Sequence, residues 1–257
     1  MKKLFVLILA LFILVPNSAF ATSINDNTVK EKVIFEKEEI KDRNKIIDRA
    51  KKGITDVEDL PFEVSSSITK VDSENIQVLS TLSTFDLENL DEENFDLDIF
   101  TTTQKLKETQ ALDGTINTEY VTNAVVNAYD SKTVNKTDGS YVVSGVVSVR
   151  WEEKISGGVM VWQLADTSGS WSLLDTGFSL SNRRVEFGQL GQEACFGTQC
   201  KQTSYPTSNS FFYVGSSSWP WIGKHNQIAT MTSNSYVTVT RGTSSFLFTI
   251  NAAQFGL

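Results

Sequence analysis

Residues 141–187 constrain this chain most. Tyr141, Val143, Val147, Val149, Trp151 and Ile155 fall on one parity, and Ser144, Ser148, Arg150, Glu152 and Lys154 on the other. Side chains alternate across a strand with period two, so the first set is expected to face a core and the second water. Ser156-Gly157-Gly158 and Ser168-Gly169 interrupt the apolar runs. Glycine reaches positive φ without a Cβ clash, so both are read as turns. A second apolar run covers residues 159–165, and the next begins at Trp171. The stretch reads as a β-meander, and it sets the fold class as mostly β.

The same signals continue on both sides. Strands are expected over residues 100–107 and 118–128 around Asp113-Gly114, and over 178–180 and 185–187 around Ser181-Asn182. Further strands are expected at 211–214, 228–231, 236–240 and 246–250. Residues 188–205 read as a Gly- and Gln-rich loop, and Arg241-Gly242-Thr243-Ser244 as a link. Many short strands with closely spaced turns predict an antiparallel β-sandwich, Ig-like or jelly-roll-like, over residues 97–257.

The front of the chain differs. Residues 22–96 carry net charge -9 and residues 97–257 net charge -1, and all five Trp lie in the second part. Such a split marks a boundary. Over residues 27–53 the spacing of Val29, Val33, Ile40 and Ile47 predicts a helix. Asp26 or Asn27 would cap it, and Lys51, Lys52 and Gly53 suit its end. Residues 54–96 give weak signals. Ser65-Ser66-Ser67 and the acidic run from Asp86 read as a connecting segment, and the whole of 22–96 as an acidic helical linker or pro-segment.

Ahead of it, Lys2 and Lys3 precede an apolar run from Leu4 to Val15, and Ala19-Phe20-Ala21 has the small-x-small form of a cleavage site. The run is shorter than the ~20 residues that span a bilayer. Residues 1–21 are therefore expected to be a secretory signal peptide, and the mature chain to be extracellular with no transmembrane segment. The acidic balance, without clustered Lys and Arg, argues against a nucleic-acid partner.

Candidate chemistry is sparse. Cys195 and Cys200 are the only cysteines, and in an exported chain such a pair is expected to form a disulfide. A zinc site would need more ligands than one His supplies, so neither a metal nor a cofactor is expected. His225, the only histidine, sits in a polar loop sequence, and no Gly-x-Ser-x-Gly elbow accompanies it. Glu152, Glu153, Asp166, Asp175, Glu186 and Glu193 are the acids of the β region. A glycosidase needs two facing across a cleft, and Glu152 and Glu153, being adjacent, point to opposite faces. The most suggestive stretch holds Phe212, Tyr213, Trp219 and Trp221, the two indoles flanking Pro220. Pro donates no ladder hydrogen bond, so this is read as a loop. Its aromatics are ligand-binding candidates that could stack on a glycan, against the alternative that they cover the core.

Residues 170–188, SWSLLDTGFSLSNRRVEFG, and the ending YVTVTRGTSSFLFTIN resemble a group of uncharacterised exported proteins of Gram-positive bacteria. The resemblance covers the β region from about Thr101 to Leu106 onward. It implies export and carries over no activity. Three functions stay open at this point. With no catalytic constellation in view, a non-catalytic extracellular or cell-envelope-associated β module is favoured, with cell-wall glycan or an envelope component as partner. The others are a toxin or bacteriocin-like protein with residues 22–96 as pro-segment, and a hydrolase using carboxylates.

Overall fold

The computed structural model describes residues 31–57, 62–71, 95–130, 142–191, 195, 200–223 and 229–255. The leader-like residues 1–21, the acidic residues 86–94, Glu193 and His225 lie outside them. The described chain is mostly β. Its order is β1 (Lys32–Glu36), α1 (Arg43–Lys51), β2 (Phe62–Val71), β3 (Phe95–Gln110), β4 (Ile116–Asp130), β5 (Val143–Ser156) and β6 (Val159–Leu173). Then come β7 (Ser179–Leu190), β8 (Lys201–Ser204), β9 (Ser210–Val214), β10 (Ile222–Gly223), β11 (Thr230–Arg241) and β12 (Ser244–Phe255).

The strands make two antiparallel sheets that curl into a half-barrel. The first has the order β1-β3-β4-β5-β6, with β9 and β10 both pairing with the outer edge of β6. The second has the order β2-β12-β11-β7-β8. One apolar core draws on both sheets, with Trp151, Trp162 and Val147 from the first and Phe187, Phe248 and Ile250 from the second. Gly157 and Gly158 have φ of 59° and 80° and close the β5–β6 hairpin, which is the two-residue turn that matches strand twist.

The other expected turn is not a turn. Ser168 and Gly169 lie inside β6, where Gly169 pairs with Val147 on one side and Phe211 on the other. A Cβ on Gly169 would overlap the Val146 carbonyl and the Phe211 ring. The glycine permits close approach, and the strand runs through it. Ser181-Asn182 is likewise internal, to β7. The ladder to β11 shifts register there, and Asn182 takes φ 45°. Two expected short strands are thus one strand with a bulge.

The front of the chain also departs from expectation. No single helix occupies residues 27–53. Val33-Ile34-Phe35 is extended in β1 and pairs with β3, as β-branched and aromatic residues favour. The helix is only α1, capped by Asp42, whose Oδ1 accepts from the Lys45 N–H at 2.9 Å. Gly53 does follow its end with φ 64°. Ser65-Ser66-Ser67 lies in β2, which pairs with β12 over ten residues. Its backbone bonds come from that partner, which local polarity cannot reveal.

α1 explains a further correction. Ser144 and Ser148, expected in water, are buried. Ile46 and Ala50 of α1 pack on Val125 and Val146, on the side of the first sheet away from the main core. Arg43 Nη2 donates to Ser144 Oγ at 2.7 Å, and Arg49 Nε to Thr102 Oγ1 at 2.9 Å. The described part of the front is thus packed against the β region.

Candidate functional site

On that covered side of the first sheet, next to α1, a cleft of about 330 Å³ opens. Its floor is Val146 and Ser148 of β5 with Ser168, Gly169 and Ser170 of β6. One wall is the segment running from Glu39 to Ile46, and the other is Phe212 of β9. The strand period puts Val146, Ser148, Ser168, Ser170 and Phe212 on one face, and Gly169 leaves the floor open between the two serines. The ladder aligns Ser148 with Ser168 and Ser168 with Phe212.

At one end of the cleft Arg150 meets three carboxylates. Its Nη2 lies 2.5 Å from Glu39 Oε2, its Nη1 2.6 Å from Glu119 Oε1 and its Nε 2.9 Å from Asp166 Oδ2. A bulge in the β5–β6 ladder sits between Arg150 and Trp151, leaving Asp166 opposite Arg150. Bulges commonly re-aim side chains next to sites. Burial pushes the Asp166 carboxyl above its ordinary range. Arg150 opposes this, and the charges of Glu39 and Glu119 reinforce it. Burial would also lower the Arg150 pKa, but the hydrogen bond to Glu119 and the surrounding acids raise it. Arg150 thus stays a cation shared by three acids, of which Glu39 also has Lys41 Nζ at 3.6 Å.

On the far side of the Glu39 segment Asp56 anchors the front. Burial would raise its pKa, but hydrogen bonds from Lys37 Nζ at 2.9 Å and from Arg49 Nη2 at 2.5 Å hold it below the usual carboxylate range. A lowered carboxylate contributes stability above its unfolded pKa and loses it as pH falls through the folded value.

The imbalance at Arg150 makes a prediction. Asp166→Asn is expected to leave stability at neutral pH within about 1 kcal/mol of the parent. It gives up one ion pair but relieves a buried acid that two others repel. Because the folded pKa of Asp166 is raised, its contribution is present below the unfolded value and is lost as pH rises through the folded one. The variant should therefore gain on the parent between acid and neutral pH. Urea titrations at several pH values measure this, and a loss as large as that of an Arg150 truncation would contradict it.

The aromatic candidates do not come together. Trp219 is a core residue, 6% exposed, with its ring 6.1 Å from Phe187. Tyr213 is half-buried and stacks on Phe187 at 5.9 Å and on Phe211 at 6.0 Å. Trp221 is half-buried, with Lys154 Nζ 3.8 Å from its ring centroid. Gln189 explains the infolding. Its Nε2 donates to Pro220 O at 2.5 Å while its Oε1 accepts from Leu164 N at 2.8 Å. Of the four, Phe212 alone lines the cleft, and it is 60% exposed.

The other acids are dispersed. Glu153 accepts from Trp162 Nε1 at 2.8 Å, Asp175 caps its own turn through Gly177 N, and Glu186 pairs with Lys201 at 2.8 Å. Cys195 and Cys200 form a buried disulfide beside the same Gln189. Among the described residues no cluster of His, Cys, Asp or Glu could hold a metal ion, and no helix is long and apolar enough to cross a membrane. The sequence reading missed Glu39, Lys41 and Arg43. The available signal was Arg150, a charge within a Val-rich strand that needed partners once its face was covered. No family model, curated protein or solved structure matches the chain.

Proposed function

We propose that this protein is an exported, non-catalytic β module that holds a polyhydroxylated ligand, such as a cell-wall glycan, in the cleft beside α1. The observation that carries the proposal is the pairing of a serine floor with an exposed aromatic wall, Phe212. Hydroxyl-lined sites with an aromatic face suit sugar rings, which present both polar edges and apolar C–H faces. The cleft carries both signs, Glu39 and Asp166 against Lys41, Arg43 and Arg150, so a neutral ligand suits it. In this reading the two sheets form a sandwich of the Ig-like or jelly-roll-like kind. The leader-like residues 1–21, the disulfide and the resemblance to exported Gram-positive proteins support export.

Carboxylate-dependent hydrolysis is the second reading, favoured by the raised Asp166 lining the same cleft as Glu39. It is the weaker one. A general acid must hold and release a proton, and both acids lie against a guanidinium. The pro-segment of the toxin reading has less support still. Removing residues 22–96 would strip β2 from β12 and uncover Val125 and Val146.

The test is retention on purified cell wall. Phe212→Ala should keep the fold, because the ring is mostly in solvent, and should weaken retention ~3- to 10-fold, the worth of one aromatic face. Unchanged retention would remove the cleft from the proposal, and release of reducing sugar by the parent would favour the hydrolase.

A further inference from the structure

Of the cations that line the cleft, Lys41 has Glu39 and Arg150 has three acids. Among the described residues no carboxylate lies within ion-pair distance of Arg43, the third. Its guanidinium is half-buried and fixed along one edge, where Nη2 donates to Ser144 Oγ at 2.7 Å and to Ser144 O at 3.4 Å. Its Nε is enclosed and has no partner. Taking a guanidinium out of water without filling its donors is costly, so this side chain calls for an acceptor. Beside it the cleft turns apolar. Ile46 stands one turn further along the same side of α1, and Val146 follows Ser144 on the same face of β5. Both line the cleft.

Resting on the cleft as the sugar site, we infer that the sugar it selects is an N-acetylated amino sugar, whose acetamido carbonyl accepts from Arg43. An acetamido arm joins a carbonyl acceptor directly to a methyl group. Arg43 with Ile46 and Val146 presents the complement, a fixed donor directly beside an apolar patch. The N–H of the arm has Ser170 Oγ as acceptor, which the ladder sets opposite Val146. A hydroxyl in place of the arm meets the guanidinium but leaves the apolar patch unfilled. A carboxylate there meets the guanidinium too, but it brings a third negative charge to a cleft that already holds Glu39 and Asp166. The dimensions agree. Val146 lies two strands and one row of side chains from Phe212, on the order of 12 Å across the sheet. One ring stacked on Phe212, with its acetamido arm, covers that span. Phe212 then gives affinity for sugar rings in general, and Arg43 the choice among them.

Calorimetric titration of the full chain with two tetrasaccharides of the same linkage, one of N-acetylglucosamine and one of glucose, tests this. The parent should bind the acetylated sugar about tenfold more tightly, the combined worth of a hydrogen bond to a charged donor and a buried methyl group. Arg43→Met keeps the apolar stem without the donors, and the ratio between the two sugars should fall below about threefold. Arg43→Lys restores a donor and should recover part of the preference. Phe212→Ala should weaken both sugars alike and leave the ratio as it was. Circular dichroism checks that the variants are folded, and the parent's own ratio decides even where one is not. Equal binding of both sugars by the parent overturns the inference and leaves the cleft as a sugar site. Binding of neither overturns both. A preference that survives Arg43→Met overturns the role given to Arg43.

Discussion

Replacing Arg150 by alanine is expected to destabilise the protein by about 3 kcal/mol at neutral pH, because it strands three acids with one cation removed. Glu39, Glu119 and Asp166 all lie within ion-pair distance of that guanidinium, and all four side chains are mostly buried. Their repulsion is then opposed only from the side of Glu39, where Lys41, itself exposed, lies 3.6 Å away. The loss should shrink at acid pH, where protonation relieves it. The sign for Asp166 is already set by its raised pKa, and removing the cation raises it further. Denaturant unfolding of parent and variant at neutral and acid pH is the measurement. Adding Glu39→Gln to the variant should recover part of the loss, since one acid fewer remains. An equal loss at both pH values, with no recovery in the double variant, would mean that packing dominates over charge. The cleft should suffer with the fold, because Glu39 ties its outer wall to the sheet.

Trp151→Ala is expected to cost about 4 kcal/mol. The indole is fully buried, stacks on Tyr120 with centroids 4.4 Å apart and meets Trp162 at 5.6 Å. Its Nε1 reaches Thr122 Oγ1 at 3.4 Å, so the polar end has a partner. Truncation leaves a cavity that strands on either side cannot close without breaking ladders. Trp151→Phe should recover most of the loss, because a ring refills most of the volume and the long hydrogen bond contributes little. A loss for alanine under about 1 kcal/mol would show that this end of the core is loosely packed.

Trp151 and Arg150 are adjacent, yet only the first is placed by local periodicity. Trp151 was legible as core, because period-two alternation is intrinsic to a strand and needs no partner. The same rule sends Arg150 to water. The rule tells opposite faces apart, but it does not say what covers the second face. Ser144, Ser148 and Arg150 are covered by α1 and by the segment from Glu39, more than a hundred residues earlier in the chain. Gly169 failed for a related reason. A glycine that permits a turn and one that permits close approach look alike in sequence, and only the Phe211 ring distinguishes them.

The aromatic loop shows the same limit in the opposite direction. Proline and its serine neighbours did mark a non-ladder segment at residues 215–221. Whether its indoles faced out depended on Gln189 and Phe187, from another strand. Phe212 differs from Tyr213 only by parity, and that parity acquired meaning once β9 was paired with β6.

Local features are thus written in the chain itself. The mostly β class, the glycine hairpin after β5, the apolar face of β5 and the pairing of the two cysteines follow from period, φ preference and proximity along the chain. What is distant came from packing: which strands pair, that β1 and β2 join the sheets, that α1 covers a second face, and that Glu39, Glu119 and Asp166 from three segments converge on Arg150. Those outcomes depend on which surfaces are buried together, and the free energy of burial belongs to both surfaces and to neither segment alone.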